Sequence, residues 1–226
     1  LLNDPMYPGW RSPRITGDEY DKFVDKFVSE VKKRFPKVML HWEDFGRENA
    51  QRCLDRYQSK ICSFNDDIQG TGVVALAATL SAIKKSGLKL SEQKIIIFGA
   101  GTAGMGVTQQ IFEYLCEHGI SEDDAKKMFW LVDRDGLLTN KSNHVTTSQS
   151  KFLRDASELG EINHSHTAGQ QLFSLVKQVE PTILIGCSAQ TGMFDKNIVT
   201  QMHATCAKPI ILPLSNSFNP ANTRKR

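Results

Sequence analysis

The stretch KIIIFGAGTAG, residues 94–104, sets a β-branched apolar run directly against a glycine-rich turn. Lys94-Ile95-Ile96-Ile97-Phe98 reads as a strand, and the residues to about 117 as the helix after the turn. A G-x-G-x-x-G match alone is a weak signal, but between a strand and a helix it acquires a physical meaning. Gly99 permits the tight turn, Gly101 lets the backbone approach a pyrophosphate, and Gly104 lets the helix pack closely on the strand. Amides at the head of the helix, around Thr102 and Ala103, then face the phosphates. A glycine turn that holds no ligand is the alternative. The next strand, Phe129-Trp130-Leu131-Val132, ends at Asp133. A carboxylate there suits the ribose hydroxyls and repels a 2′-phosphate, which favours NAD over NADP. Arg134 argues the other way, since a guanidinium can receive a phosphate. The interval from Gly104 to Asp133 exceeds the usual spacing of about 20 residues, and the segment 119–124 reads as an insertion that accounts for the excess.

Working outward, Tyr20, Phe23, Val24, Phe27, Val28, Val31 and Phe35 fall at helical spacing, and Pro36 ends that helix. Residues 37–42 read as a short strand, 45–58 as a helix and 61–64 as another strand. The run 73–78, apolar nearly all round, reads as a buried helix. Residues 139–168 are polar and carry little structural signal. Beyond them a helix near 169–179, a strand at 182–186, a helix near 195–205 and a strand at 209–212 complete the pattern. Strands alternating with helices predict an α/β fold, a Rossmann-like doubly wound parallel sheet with a smaller N-terminal α/β lobe.

The chain has 226 residues, 40% of them hydrophobic and 23% charged, which places it among folded globular proteins. A net charge of +3 does not call for nucleic acid. No apolar run approaches the roughly 20 residues that span a bilayer, so no membrane role is expected. Five scattered cysteines without a C-x-x-C pair read as small buried hydrophobes of a reducing cytoplasm.

A second constellation is acidic. Glu43 and Asp44 follow one strand, and Asp66 and Asp67 follow another. Carboxyl ends of parallel strands are where such sheets present ligands. Four carboxylates gathered there repel one another unless a cation neutralises them, and oxygen-only donors suit Mg2+ or Mn2+. Either pair alone reads equally as a helix cap, Asp44 for 45–58 and Asp67 for the helix after Gly70. His164 and His166 read as a solvated loop and Cys187 as core. On spacing alone Asn216 is a turn residue whose amide could meet substrate or nicotinamide.

WEDF (42–45), SFNDDIQGT (63–71), FGAGTAG (98–104), VDRDGLL (132–138) and PLSN (213–216) together resemble the malic enzyme family, in its order and spacing. The opening segment, LLNDPMYPGWRSPRITGDEY, looks like the bacterial NAD-dependent branch. The resemblance implies oxidative decarboxylation of L-malate to pyruvate and CO2, with NAD as hydride acceptor and a divalent cation that polarises the resulting carbonyl. It implies Glu43, Asp44 and Asp67 as metal ligands, Asp67 also bordering the cofactor, and Asp66 as a residue assisting a catalytic lysine. It also implies Gly99, Gly101, Gly104 and Asp133 at the dinucleotide, and Asn216 near nicotinamide and substrate. Residues 1–66 then belong to the malate- and metal-binding lobe, 67–216 to the NAD-binding domain, and 217–226 to an atypical tail. The family's tyrosine acid and lysine base fall before residue 1, and after Asn216 the chain reads Ser217-Phe218 where the family reads Pro-Thr. A central fragment with little activity of its own is therefore expected, from an intact protein that forms a homo-oligomer. A malolactic enzyme, and a non-catalytic NAD-binding remnant, are the alternatives.

Overall fold

The structure, a computed structural model, describes residues 3–158, 168–188, 190 and 192–214. His164, His166, Asn216 and the tail 217–226 lie outside the described residues. Strand β3 (Ile95–Phe98) is the centre of a five-stranded sheet. It pairs in parallel with β4 (Phe129–Asp133) on one edge and with β6 (Ile183–Gly186) on the other. Beyond β6 lies β7 (Ile210–Pro213), also parallel, and beyond β4 lies the short antiparallel β5 (Gly136–Leu137).

The period-two alternation of β3 divides the core. Ile95 and Ile97 face the side covered by α3 (Thr71–Ser86), α4 (Thr102–Glu117) and α5 (Glu122–Lys127), where they meet Ile111, Leu115 and Phe129. Ile96 and Phe98 face α7 (Ala168–Val179) and α8 (Lys196–Thr205), meeting Leu172, Val176 and Met202. Each isoleucine of β3 is at most 1% exposed, so each contributes up to about 1.5–3 kcal/mol of burial. The fold is the doubly wound sheet that strand–helix alternation predicts.

A separate two-stranded parallel sheet joins β1 (Leu40–Trp42) to β2 (Ser63–Asn65), with Trp42 level with Asn65. β1 is shorter than the expected 37–42 because the Val38 amide still bonds back to the Phe35 carbonyl, at 3.0 Å, closing a turn after α1 (Gly17–Arg34). Val24 and Val28 of α1 are buried, whereas Phe23, Phe27 and Phe35 of the same apolar pattern are exposed. Helix α2 (Arg47–Tyr57) docks on α1 through Arg52–Asp21 and Arg56–Asp25 ion pairs. The Tyr57 hydroxyl adds a 2.5 Å hydrogen bond to Asp25. The Tyr57 ring stacks on Trp42 at 5.6 Å, and Phe45 meets the same indole edge-on at 5.4 Å.

Three further expectations change. Helix α3 is not buried all round: Gly72, Ala75, Thr79 and Ile83 face inward, while Val73 and Val74 are 52% and 68% exposed. Apolar composition did not reveal that only one stripe meets α4. Cys62 is exposed rather than core. Of the polar stretch after β5, residues 139–158 are ordered by their own side chains. A short helix, α6 (Thr147–Ser150), is closed by a reciprocal Thr146–Gln149 capping box, and Phe152 inserts against Phe112 and Phe129. The excess before Asp133 forms α5, which buries Ala125.

Asp25 lies below its ordinary carboxylate pKa because the Tyr57 hydroxyl, and then Arg56, bond its ionised form. A depressed folded-state pKa gives stability that is present above the unfolded value and lost as pH falls through the folded one. Tyr57→Phe is therefore expected to lower the urea midpoint at pH 7 and to make the loss of stability below about pH 5 shallower. An acid limb identical to that of the parent would remove Asp25 from this role.

Candidate functional site

The turn after β2 explains how two adjacent aspartates remain available. Residues Asp66–Gly70 form a single π-helical turn that runs directly into α3. It is held from both sides by amides of the same motif. The Asn65 Oδ1 accepts from the Ile68 amide at 3.0 Å, and the Asn65 amide donates to Gln69 Oε1 at 3.0 Å. Asn65, fully buried, thus caps the π-helical turn, and Asp67 does not cap the helix after Gly70, whose N-terminal position is Gly70 without a side-chain bond. Asp44 does not cap α2 either, whose N-terminal position is Gly46 without a side-chain bond. Freed from capping, the acidic groups converge.

Because β1 and β2 run in parallel and in register, Glu43 and Asp66 leave them side by side. Oxygens of Glu43, Asp44 and Asp67 lie within 4.8 Å of one another. Asp44 reaches this position with φ of 56°, a left-handed conformation uncommon outside glycine and a strain typical of functional sites. Asp67 is half-buried, and its Oδ2 has no hydrogen-bond partner among the described residues. A buried acceptor left without a donor is costly, and a hard divalent cation satisfies it. An all-oxygen donor set with room for water fits Mg2+ or Mn2+.

Loss of solvent, then repulsion from Asp66 and Asp67, pushes the Glu43 carboxyl above its ordinary pKa, while His41 opposes the shift. His41 Nε2 stands 3.2 Å from Glu43, and with Asp66 completes a second cluster within the same 4.8 Å. His41 was missed from the sequence. The only available signal was strand alternation, which sets it opposite Leu40 and Trp42.

The second part of the site opens at the carboxyl ends of β3, β4 and β6. A cavity of about 250 Å³ is lined there by Gly99, Gly101, Thr102, Asp133, Arg134, Cys187 and Ser188, among others. It lies where the chain, having crossed to β4 on one side of β3, returns to β6 on the other, the switch point at which such sheets bind ligands. Gly99 has φ of 103°, and a side chain there would strike the Ser188 amide. A Cβ on Gly104 would lie 2.1 Å from the Gly99 carbonyl oxygen, so α4 can approach the turn only with glycine. At Gly101 no atom of the described residues, its chain neighbours aside, lies within 4 Å of where a side chain would begin, and the residue lines the cavity. Ala103 sits in the first turn of α4, whose head carries no side-chain cap. The first-turn amides are therefore available to an anion.

Asp133 is half-buried at the end of β4. The fully buried Gln149 donates one amide group to Asp133 Oδ2 at 2.9 Å and to the Ala100 carbonyl at 2.8 Å. It thereby ties the acidic residue to the glycine turn. The T-x-x-Q spacing of 146–149 was a readable capping box, but its contact with the turn was not. Arg134 is exposed at the rim. Burial pushes the Cys187 thiol up to about 11, so it is a neutral wall at physiological pH.

A family model described as the malic enzyme NAD-binding domain matches residues 68–225, and one described as the malic enzyme N-terminal domain matches residues 1–58. The chain is 45% identical over 217 residues to NAD-dependent malic enzyme 3 of Bacillus subtilis, covering 96% of this chain and 38% of that protein. It is 43% identical over 223 residues to an NAD-dependent malic enzyme of Proteus mirabilis, covering 99% and 39%. The chain thus spans less than half the length of these relatives. Among solved structures, the NAD-dependent malic enzyme of Thermotoga maritima matches with a TM-score of 0.65 and 24% identity, over 93% of this chain and 51% of that one. The malic enzyme of Entamoeba histolytica matches with a TM-score of 0.64 and 21% identity, over 90% and 40%. At such identities the solved structures speak for the fold alone, whereas the sequence matches run through both the acidic motifs and the glycine turn. The chain belongs to the malic enzyme family.

Proposed function

We propose that this chain carries the divalent-cation and NAD sites of an enzyme that oxidatively decarboxylates L-malate to pyruvate and CO2. The observation that carries this reading is the convergence of Glu43, Asp44 and Asp67 around a buried, unpartnered Asp67 oxygen. When bound, the cation supplies Lewis-acid polarisation and NAD supplies a hydride acceptor. The protein's own part is positional. Glu43, Asp44 and Asp67 hold the cation, and Asp66 beside them assists a proton-transferring partner. Gly99, Gly101, Thr102, Ala103 and Gly104 cradle the pyrophosphate, and Asp133, oriented by Gln149, accepts from the ribose hydroxyls. Arg134 flanks that ribose, and Asn216 approaches the nicotinamide. The two family models divide the chain between 58 and 68, which supports a metal-binding lobe over 1–66 and a dinucleotide domain over 67–216.

The 226 residues are expected to bind both cofactors. Mn2+ titration followed by electron paramagnetic resonance, without NAD+, is expected to show one site per chain, weakened at least about tenfold by Asp67→Asn. NAD+ titration by calorimetry is expected to show a loss of roughly tenfold or more in Asp133→Ala, which removes hydrogen bonds to a charged group. Unchanged affinities in those variants would refute the assignment. Product analysis separates the family's reactions, since lactate without free NADH would mean a malolactic outcome.

Gln149→Ala tests the residue that only the structure revealed. It should weaken NAD+ binding roughly fivefold, the equivalent of one hydrogen bond worth about 1 kcal/mol, and leave Mn2+ affinity alone. Equal loss of both affinities would mark a general folding defect instead.

A further inference from the structure

The glycine-rich run does not stop at Gly104. Gly106, two residues further along α4, is buried and has no part in turning the chain or admitting a pyrophosphate. A Cβ built on it would lie 2.4 Å from the Ile68 carbonyl oxygen and 2.9 Å from the Ile68 Cα. Both are backbone atoms, which cannot swing aside as a side chain can. From the neighbouring helix α3, a Cβ on Gly72 would lie 2.9 Å from the Gly106 carbonyl oxygen. At Ile68 the π-helical turn therefore rests backbone to backbone on α4, while at Gly72 the Gln110 side chain of α4 also packs into the contact, its Cγ 2.6 Å from the built Cβ.

This seam joins the two halves of the site. Ile68 follows Asp67 directly, within the turn that Asn65 and Gln69 close. On the other side of the seam, Gly101 and Thr102 at the head of the same α4 line the dinucleotide cavity. A close-packed backbone contact has no flexible atoms to absorb a shift, so what settles the head of α4 also settles Ile68 and its neighbour. We infer that Gly106 is a positioning residue that couples cation binding at Asp67 to dinucleotide binding at the head of α4. The inference rests on the cofactor sites proposed above. Coupling of this kind is reciprocal, each ligand tightening the other by one and the same factor. Its sign is positive because both ligands favour one and the same placement of the turn against α4.

The test uses the 226-residue chain. The Mn2+ dissociation constant is measured with and without saturating NAD+, and that of NAD+ with and without Mn2+. Each is expected to fall by about fivefold or more, the low end of usual coupling factors, and by the same factor in both directions. Gly106→Ala, checked for folding by circular dichroism, should bind NAD+ alone within about twofold of the parent and bring the coupling factor towards one. A second measurement needs no variant and excludes direct attraction between cation and pyrophosphate. In metal-free protein held in chelator, NAD+ alone should slow amide hydrogen exchange over residues 65–71. A coupling factor of one in the parent, full coupling retained in Gly106→Ala, or exchange over 65–71 indifferent to NAD+ would each overturn the inference. Two cofactors that bind independently would overturn this coupling only. Failure of either to bind would overturn the proposed sites as well.

Discussion

Everything in this molecule hangs on the burial of β3 between two parallel neighbours. Ile95 to Phe98 are at most 4% exposed, with helices on both faces and strands on both edges. A strand so enclosed has one exit, at its carboxyl end, and the chain leaves there through Gly99. The hydrogen-bonded partners on either side, β4 and β6, then bring Asp133 and Ser188 to the rim of the same cavity. The cavity is a geometric consequence of the sheet and needs no dedicated element of its own.

The acidic corner follows a different logic, in which electrostatic repulsion is tolerated rather than relieved. A chain selected only for stability would spend Asp44 and Asp67 on helix caps, each worth about 1 kcal/mol. Here Asn65 and Gln69 close the turn as neutral amides, and the carboxylates stay free to face one another. Asp44 adds a left-handed backbone, and Trp42, locked between Tyr57 and Phe45, anchors the residues just before it. Strain and like-charge crowding are thus held in place by rigid aromatic packing.

Much of this was legible in the chain itself. The run Ile95–Phe98 followed by GAGTAG could hardly form anything but a strand, a turn and a helix, since each local preference agrees with the next. The paired acids after two short apolar runs were readable for the same reason. What stayed hidden were contacts without a period. The run 73–78 within α3 is apolar at every position, so its pattern could not say which face meets α4. Gln149 sits in a polar stretch with no hydrophobic rhythm, yet it reaches Ala100 across 49 positions.

The amino-acid sequence by itself therefore determined the class of fold, the position of the glycine turn and the spacing of the paired acids. Those properties depend on local preferences and on spacing along the chain. Tertiary structure alone decided that Asn65 is the cap, that His41 joins the acidic cluster and that Gln149 orients Asp133. It also decided that Gly106 lies under Ile68. Each of these is a meeting of side chains or backbones through space, fixed by how helices settle on the sheet, and spacing along the chain does not encode it.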